Sequence, residues 1–506
     1  MLSPVNAYWN VLLILALTVC VWLVGCIAEQ LPAVVERLKQ HGATLVEPLR
    51  QRYRTWPHYW QHFAVCFALG IAIETALHLA HGLGPVALWQ RWGFDKTVSL
   101  LQTYRALGWI DREPLHSDYS GFVWVDIDEV SWSDPRWGGG EPFLQPRREV
   151  FKLVDRAFDW GARVVYVDLL LDGKSGEIER QWLAKLHDRR FADGKPRHLL
   201  AARSLRQPPA GRSPSNEAHA APELPRLRPA FWDAYQAPAS GVRVHPVLPH
   251  FRPDSDLLVR RWSIGQTAAI GDASRFLPSP QLALYCLQPG RHPSLAAWCQ
   301  RLAETRERAD SETTKHGEEH TDHNPLASTL LFPFGSQEGY QKGDLGYGLF
   351  PALSVLIKAD APIDEFRNAI VVIGSSYEES RDHFYTPVGR LPGALLNLNA
   401  LDTMLRHGQL HELPWQAKWP LALTLIVLVA ALFAFGNRLM ATVIAGGLVA
   451  AGFIFVIGPL LLRQGLWFDF GAPMLGILLH RNIEEFIAAR QREKASADGH
   501  ADHPAH

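Results

Sequence analysis

The sequence has 506 residues, of which 47% are hydrophobic and 10% aromatic, and this composition is sufficient for a large buried core. Its formal net charge of -1 gives no reason to expect a nucleic acid partner. The apolar residues gather into long runs near both ends of the chain. This distribution predicts a membrane protein, with the lipid bilayer as a partner and a large water-facing middle region.

The N-terminal region is predicted to form a membrane hairpin. Residues 7–28 are apolar and uncharged over about the length that crosses a bilayer, so residues 1–28 are assigned to a first transmembrane helix. The excess of Arg and Lys in residues 29–61 indicates a cytoplasmic loop. Residues 62–83 form a weaker apolar run, which predicts a second transmembrane helix.

The C-terminal region, residues 419–480, contains apolar segments joined by very short turns, a pattern that predicts three more transmembrane helices. With about five spans in total, residues 481–506 are expected to form a short cytoplasmic tail. In this tail Ile483, Phe486 and Ile487 form an apolar stripe suited to the helix of a cytoplasmic or membrane partner protein.

The middle region, residues 84–418, is predicted to be an extracytoplasmic α/β domain. Its most apolar stretches are FVWVDID, RVVYVDLLL and AIVVIG, which are typical of strands buried on both faces. Between the first two, residues 147–160 have apolar side chains at helical spacing. Strand, helix and strand at these lengths predict a βαβ unit and a mostly parallel sheet.

Two segments of this domain, near 205–258 and 303–325, are rich in Pro, Ala and polar residues and are predicted to be surface insertions. The predicted fold class is therefore a polytopic α-helical membrane protein of about five transmembrane helices with a large extracytoplasmic α/β domain. The expected location is a bacterial inner membrane, with this domain in the periplasm.

Acidic residues stand where the predicted strands end, and the carboxyl ends of parallel strands are where such sheets usually bind ligands. The candidate ligand-binding residues are Asp126, Asp128, Arg147, Asp168, Ser375 and Asp382. The acids could bind a cation or a cationic ligand, with Arg147 as a counter-charge. Equally, they could satisfy loop amides and neighbouring arginines without binding anything.

Catalytic and cofactor sites are weakly indicated. Ser375 and Ser376 follow a strand and Asp382 follows soon after, but the glycine that a hydrolase elbow requires is absent, so no enzyme activity is predicted. The glycines at 138–140 lack the spacing of a phosphate loop, and no cofactor is expected. The candidate metal ligands His316, His320 and His323 lie in a polar segment, where a solvated loop is favoured over zinc.

Two cysteines, Cys286 and Cys299, lie outside the predicted spans, with Pro289 and Gly290 between them to turn the chain. Two cysteines in an oxidising compartment tend to form a disulfide bond, so a disulfide between Cys286 and Cys299 is predicted. The alternative is two independent buried thiols.

Several motifs occur in a specific order. They are VWVDIDEVS, Pro146-Arg147 opening a helix, GARVVYVDLLL, Arg260-Arg261 before a strand, AIVVIGSS, Asp382 with YTPVG, and LPGALLNLNALDTML. In this combination the chain resembles the second CHASE family of extracellular sensory domains. The resemblance implies an input domain followed by three transmembrane helices, in proteins that signal to a cytoplasmic cyclase or kinase. The additional N-terminal hairpin and the lack of an output domain depart from this pattern.

The resulting hypothesis is an inner-membrane receptor that binds an unknown signal and passes it to a separate partner protein. The alternative is a non-catalytic structural or assembly subunit of an envelope complex. An oligomer is compatible with either.

Overall fold

The computed structural model describes part of the chain. The described residues are 57–79, 84–107, 121–137, 139–140, 146–206, 224–236, 238, 241–249, 251, 253–270, 273–287, 299–300, 302, 327–329, 348–357, 362–407, 410–412, 415–435, 452–463 and 466–467.

The helices and strands are numbered in chain order. The helices are α1 His58–Leu79, α2 Gly84–Ala106, α3 Glu129–Ser133, α4 Arg147–Asp159, α5 Glu177–Asp188, α6 Pro280–Cys286, α7 Ala352–Ile357, α8 Gly393–His407, α9 Trp415–Phe435 and α10 Gly458–Arg463. The strands are β1 Phe122–Ile127, β2 Val164–Val167, β3 Arg197–Ala202, β4 Leu205–Arg206, β5 Arg226–Leu227, β6 Val242–Val247, β7 Arg261–Ser263, β8 Gly265–Ile270, β9 Ala273–Pro278, β10 Ala327–Thr329, β11 Gly348–Pro351, β12 Ile370–Ser375, β13 His383–Thr386, β14 Gly389–Pro392, β15 His411–Glu412 and β16 Leu466–Trp467.

The chain divides into two compact units, of which one comprises residues 1–94, 412–458 and 468–506. Its described part is helical, and α1 packs against α9. The two helices approach closely at Gly70, where an added Cβ atom would lie 2.7 Å from Cγ2 of Ile426.

The prediction of a polytopic membrane fold was wrong. Within the ranges given above, no helix combines the length and the apolar character needed to cross a membrane. A sequence run shows only that residues are apolar, whereas a span requires sufficient apolar character and a length of about 20 residues in one and the same helix. In the predicted span around residues 439–462, a π-helical turn at Phe453–Ile457 is followed by α10, which has only 6 residues.

Other predictions about the ends of the chain lie outside the described residues. They concern the first span at residues 1–28, most of the basic loop at 29–61, and the tail at 481–506 with its apolar stripe at Ile483, Phe486 and Ile487.

The second unit, residues 95–411 and 459–467, is the predicted α/β domain. Its main sheet has six strands in the order β11-β1-β12-β2-β3-β6, and every neighbouring pair is parallel. Each residue of β1, β2 and β12 is buried, as expected for strands covered on both faces. The prediction of a parallel α/β sheet is therefore confirmed.

Helices cover both faces of this sheet. Against one face, Val150, Phe151 and Val154 of α4 pack with Val123 and Val125 of β1 in the main hydrophobic core. The opposite face contacts α8, which runs along β12 and β1 and also packs against α6. The domain thus has three layers, with the carboxyl ends of the strands meeting at one edge.

The segment near residues 205–258, predicted to be a surface insertion, contributes β4, β5 and β6. The last of these is the edge strand of the main sheet, and its residues Val242 and Val247 are fully buried. Its Arg, His and Pro residues conceal the strand in the sequence, because an edge strand tolerates polar side chains and proline.

Candidate functional site

Two aspartates flank a glycine at the carboxyl end of the main sheet. Asp126 of β1 pairs with Gly374 of β12. The β12 residue Ile373 pairs with Val167 of β2, so Asp168 comes next to Gly374 in the register. Because side chains alternate along a strand, Asp126 and Asp168 lie on the same face. Asp126, Gly374 and Asp168 lie at the edge where open parallel sheets bind their ligands.

Helix α8 begins against Gly374. An added Cβ atom at Gly374 would overlap the Cβ of Ala394 in the first turn of α8, and it would lie 3.5 Å from the Cβ of Asp168. Only glycine permits so close an approach of helix and strand. The first turn of α8 therefore lies beside the acids at the strand ends.

Asp168 is held by a chain of polar side chains. Tyr166 Oη donates a hydrogen bond of 2.6 Å to its Oδ1, and Asn397 Nδ2 donates one of 2.7 Å to its Oδ2. The Oδ1 of Asn397 accepts a hydrogen bond of 3.1 Å from Gln281 of α6. Burial raises the pKa of Asp168, whereas the two hydrogen bonds it receives favour the carboxylate. The network fixes the orientation of this carboxyl group relative to α8.

Asp382 precedes β13 and places its carboxyl group against Gly393, the first residue of α8. An added Cβ atom at Gly393 would overlap that carboxyl group, and Gly393 N donates a hydrogen bond of 2.8 Å to the main-chain oxygen of Asp382. Burial, followed by the nearby charge of Asp168, raises the pKa of Asp382 to about 8. The raised pKa favours the protonated form of Asp382 near neutral pH.

Asp126 is bound from the loop after β12. Ser376 Oγ donates a hydrogen bond of 2.6 Å to Oδ2 of Asp126, and Ser376 N donates one of 3.2 Å to the oxygen of Ile127. These contacts join the ends of two neighbouring strands. They also direct the Ser376 hydroxyl to the Asp126 carboxylate.

Two of the predicted site residues lie elsewhere. Asp128 caps α3, because its Oδ1 accepts a hydrogen bond of 2.8 Å from Ser131 N. Ser375 is buried and follows the alternation of Val371 and Ile373, which belong to the core on the α4 side. Neither joins Asp168 and Asp382.

Arg147 organises the loop after β2. It donates hydrogen bonds to the main-chain oxygens of Asp172, at 2.6 Å, and Lys174, at 3.3 Å, and to Glu179 Oε1 at 2.9 Å. The other oxygen of Glu179 accepts from Gly176 N at 2.8 Å and so caps α5. This arginine is therefore a structural partner of Glu179 and not the counter-charge of the strand-end acids.

The pair formed by Asp168 and Asp382 differs from other enclosed acids of the domain. Several of these acids have arginine partners: Glu179 pairs with Arg147, Asp155 with Arg189, Asp172 with Arg203, Asp95 with Arg260, and Asp402 with Arg406. Over the ranges that the structure covers, no Lys, Arg or His forms an ion pair with Asp168 or Asp382. The pair thus brings two carboxyl groups together without a protein cation.

Arg260 forms a second polar centre within the domain. Its side chain is 4% exposed and contacts the carboxylates of Asp95, Asp254 and Asp256. Burial also raises the pKa of Asp95, against the effect of its hydrogen bonds with Arg260. The sequence indicated Arg260 only through a motif, and the contribution of Asp95 from α2 was missed because the two residues lie far apart in the chain.

Tyr166, Gln281 and Asn397 were also missed by the sequence analysis. One signal could have identified Asn397: in α8 the residues Asn397, Asn399, Asp402 and Thr403 are all buried. Polar residues on the covered face of a helix require specific partners, and these partners often belong to functional sites.

Cys286 at the end of α6 and Cys299 are joined by a disulfide, with a Cα–Cα distance of 5.1 Å. The weak metal candidates His316, His320 and His323 lie outside the described residues. In the described segments, no group of three or more His, Cys, Asp or Glu side chains is placed to hold a metal ion.

The fold and this edge define a class: a three-layer parallel α/β domain with polar residues gathered at the carboxyl ends of its central strands. A family model for the CHASE2 domain matches residues 67–435, well over half of the chain. The chain therefore belongs to the CHASE2 family, whose members are extracellular sensory domains. No curated protein and no solved structure shows significant similarity to it.

Proposed function

We propose that the protein is a sensory receptor that binds its signal at the carboxyl end of the main sheet and passes the change to a separate protein. Membership of the CHASE2 family supports the sensory role. The observation that carries the location of the site is the hydrogen bond of 2.7 Å from Asn397 to Asp168, because it connects a strand-end acid directly to a helix. Binding, without catalysis, is the proposed chemistry of this edge.

Helix α8 is the proposed transmitting element. It begins against Gly374, carries Asn397 into the hydrogen-bond network, and ends at His407, shortly before the chain continues into α9 at Trp415. A ligand that competes for the Asp168 carboxylate changes the free energy of the Asn397 hydrogen bond. Such a ligand shifts the position of α8 only through its different affinity for two arrangements of the domain.

We propose that the domain faces an oxidising compartment, the periplasm in a bacterium. The disulfide between Cys286 and Cys299 supports this location, since such bonds persist in oxidising compartments and are rare in the cytosol.

The experiment uses the purified full-length protein and a panel of small metabolites that contains amines, amino acids, sugars and nucleotides. Thermal shift identifies stabilising compounds, and amide hydrogen exchange is then compared with and without each of them. We expect at least one compound to slow exchange in α8 and to lose its effect in Asp168→Asn. The matched control Asp128→Asn keeps a capping side chain and should respond as the native protein does.

Two results would contradict the receptor proposal. In the first, every stabilising compound changes hydrogen exchange equally in the native protein and in Asp168→Asn. In the second, no compound of the panel stabilises the protein. The second outcome favours the structural or assembly subunit. In that case a crosslinked complex isolated from cells should retain its composition in Asp168→Asn, because the acid would serve only to hold loops together.

A further inference from the structure

The electrostatic state of Asp168 and Asp382 indicates what kind of ligand the site takes. Both residues are half-buried, so neither is sealed within the hydrophobic core. Asp168 receives two hydrogen bonds. The Asp382 carboxyl group receives none from the described residues, although it is largely enclosed. An enclosed carboxyl group without a donor is costly to ionise.

The titratable groups around Asp382 come from three sides. Tyr166 and Asp168 belong to the β2 side and His383 to the β13 side. Tyr377, in the loop after β12, also lies within electrostatic reach of Asp382, and Asp126 lies on β1 on the same face of the sheet as Asp168. Burial lowers the pKa of His383, and the cation Arg390 lowers it further, so this imidazole is neutral at neutral pH. Burial and the charge of Asp168 raise the pKa of the Tyr166 hydroxyl well above its usual value. The helices α8 and α6 contribute the uncharged amides Asn397 and Gln281.

We infer that Asp168 and Asp382 together bind the protonated amine of a small organic ligand. Such a ligand exchanges with the proton that the pair of acids retains in its absence. This inference rests on the proposed function and specifies the ligand class of the same site. In the exchange, the pair of acids loses one proton to solvent and the ammonium group enters. Both carboxylates then face one cation. An ammonium ion has three N–H donors, which suits acceptor oxygens on two carboxyl groups.

A metal ion fits this site less well than an amine. Calcium requires about six to eight oxygen ligands, and magnesium requires an octahedral set. The Oδ1 of Asn397 is occupied by Gln281, and the Tyr166 hydroxyl donates to Asp168. The described part of the chain places no third acid, His or Cys to complete a metal cluster with this pair.

The test is calorimetric titration of the full-length protein with butylamine, and with butanol and butyrate as neutral and anionic compounds of equal length. Titration in buffers of different ionisation enthalpy counts the protons released. We expect butylammonium alone to bind, with release of about one proton at neutral pH. Its affinity should rise about tenfold per pH unit below pH 8 and level off above it. Asp168→Asn and Asp382→Asn should weaken binding at least about tenfold, by analogy with the loss of one charge-assisted contact, while Asp128→Asn should not.

Three outcomes overturn the inference: equal binding of butanol or butyrate, no binding of butylammonium at millimolar concentration, or displacement of butylammonium by calcium or magnesium at equal concentration. The proposed function survives each of these results if a metabolite from the panel still slows exchange in α8 and requires Asp168. If no metabolite requires Asp168, the proposed function and the ligand class fail together. Circular dichroism of each variant verifies that it is folded.

Discussion

Arg260 donates hydrogen bonds of 2.7 Å from Nε and from Nη2 to the two carboxylate oxygens of Asp95, although the residues are 165 positions apart in the chain. Asp256 and Asp254 accept further hydrogen bonds from the same guanidinium group. Burial alone would lower the pKa of Arg260, but its bonds to the carboxylates raise it. This arginine therefore connects α2 to the segment that precedes β7.

Replacement of Arg260 should destabilise the domain. Arg260→Ala leaves enclosed carboxylates without their cation, and we expect the free energy of unfolding to fall by about 3–5 kcal/mol in urea titrations followed by Trp fluorescence. Arg260→Lys should recover only part of the loss, since an ammonium group cannot form the paired contacts of a guanidinium. The neighbouring Arg261 is exposed, so Arg261→Ala should change the free energy by less than about 0.5 kcal/mol. Equal effects at the two positions would contradict this account.

The pH dependence of stability should reveal Asp382. Its pKa is about 8 in the folded protein against an ordinary value of 3.8. Between these values the folded protein keeps a proton that the unfolded chain has lost. The free energy of unfolding therefore falls as pH rises, by at most about 1.4 kcal/mol per unit, and the slope ends above pH 8. Asp382→Asn, which resembles the protonated acid, should remove this contribution.

The measurement is urea unfolding of the native protein and Asp382→Asn at a series of pH values from about 5.5 to about 9. Asp128→Asn provides the control and should show the native slope. Identical slopes in the native protein and in Asp382→Asn would show that Asp382 has the same pKa in the folded and unfolded states.

Gly374 should not tolerate alanine. The added Cβ atom would overlap the Cβ of Ala394, which has no flexible end that could move away, so we expect a loss of about 1–3 kcal/mol in thermal or urea unfolding. The double variant Gly374→Ala with Ala394→Gly removes the overlap and should recover most of this loss. Gly452→Ala, where no atom of the described residues lies within 4 Å of the added carbon, serves as the control. A double variant as unstable as Gly374→Ala alone would argue against a local overlap.

The disulfide should contribute measurably to stability. Closing the loop between Cys286 and Cys299, with a sequence separation of 13, is expected to add about 3 kcal/mol by restricting the unfolded chain. Replacement of both cysteines by serine should lower the unfolding midpoint, and reductant should then have no further effect on the variant. Mass spectrometry after alkylation without reduction should find both cysteines unmodified in the native protein. Alkylation of both would refute the bond.

The central strands were predictable from the sequence, because a strand covered on both faces is an unbroken apolar run. The acids at the strand ends were also predictable, because Asp126 and Asp168 stand at the ends of such apolar runs in the sequence. The strand order was not, since nothing local in β12 specifies that it lies between β1 and β2. Asp168 is bound by Tyr166 of its own strand and by Asn397 of α8, and Gln281 of α6 binds Asn397 in turn. Only tertiary contacts bring Asn397 and Gln281 into this network. The polytopic prediction failed because apolar runs in the sequence do not establish a helix that combines the length and the apolar character of a membrane span, and no described helix does so.

The position of β12 between β1 and β2 also has a consequence for synthesis of the chain. Residues 128–369 must leave the ribosome before β12 can enter, which takes tens of seconds at roughly 5–20 residues per second. During this interval β12, which pairs with both β1 and β2 in the finished sheet, is absent. The edges that β1 and β2 present to β12 are then unpaired and apolar, and such edges are prone to aggregation. The nascent chain should therefore depend on a chaperone that holds these strands until residue 375 has emerged.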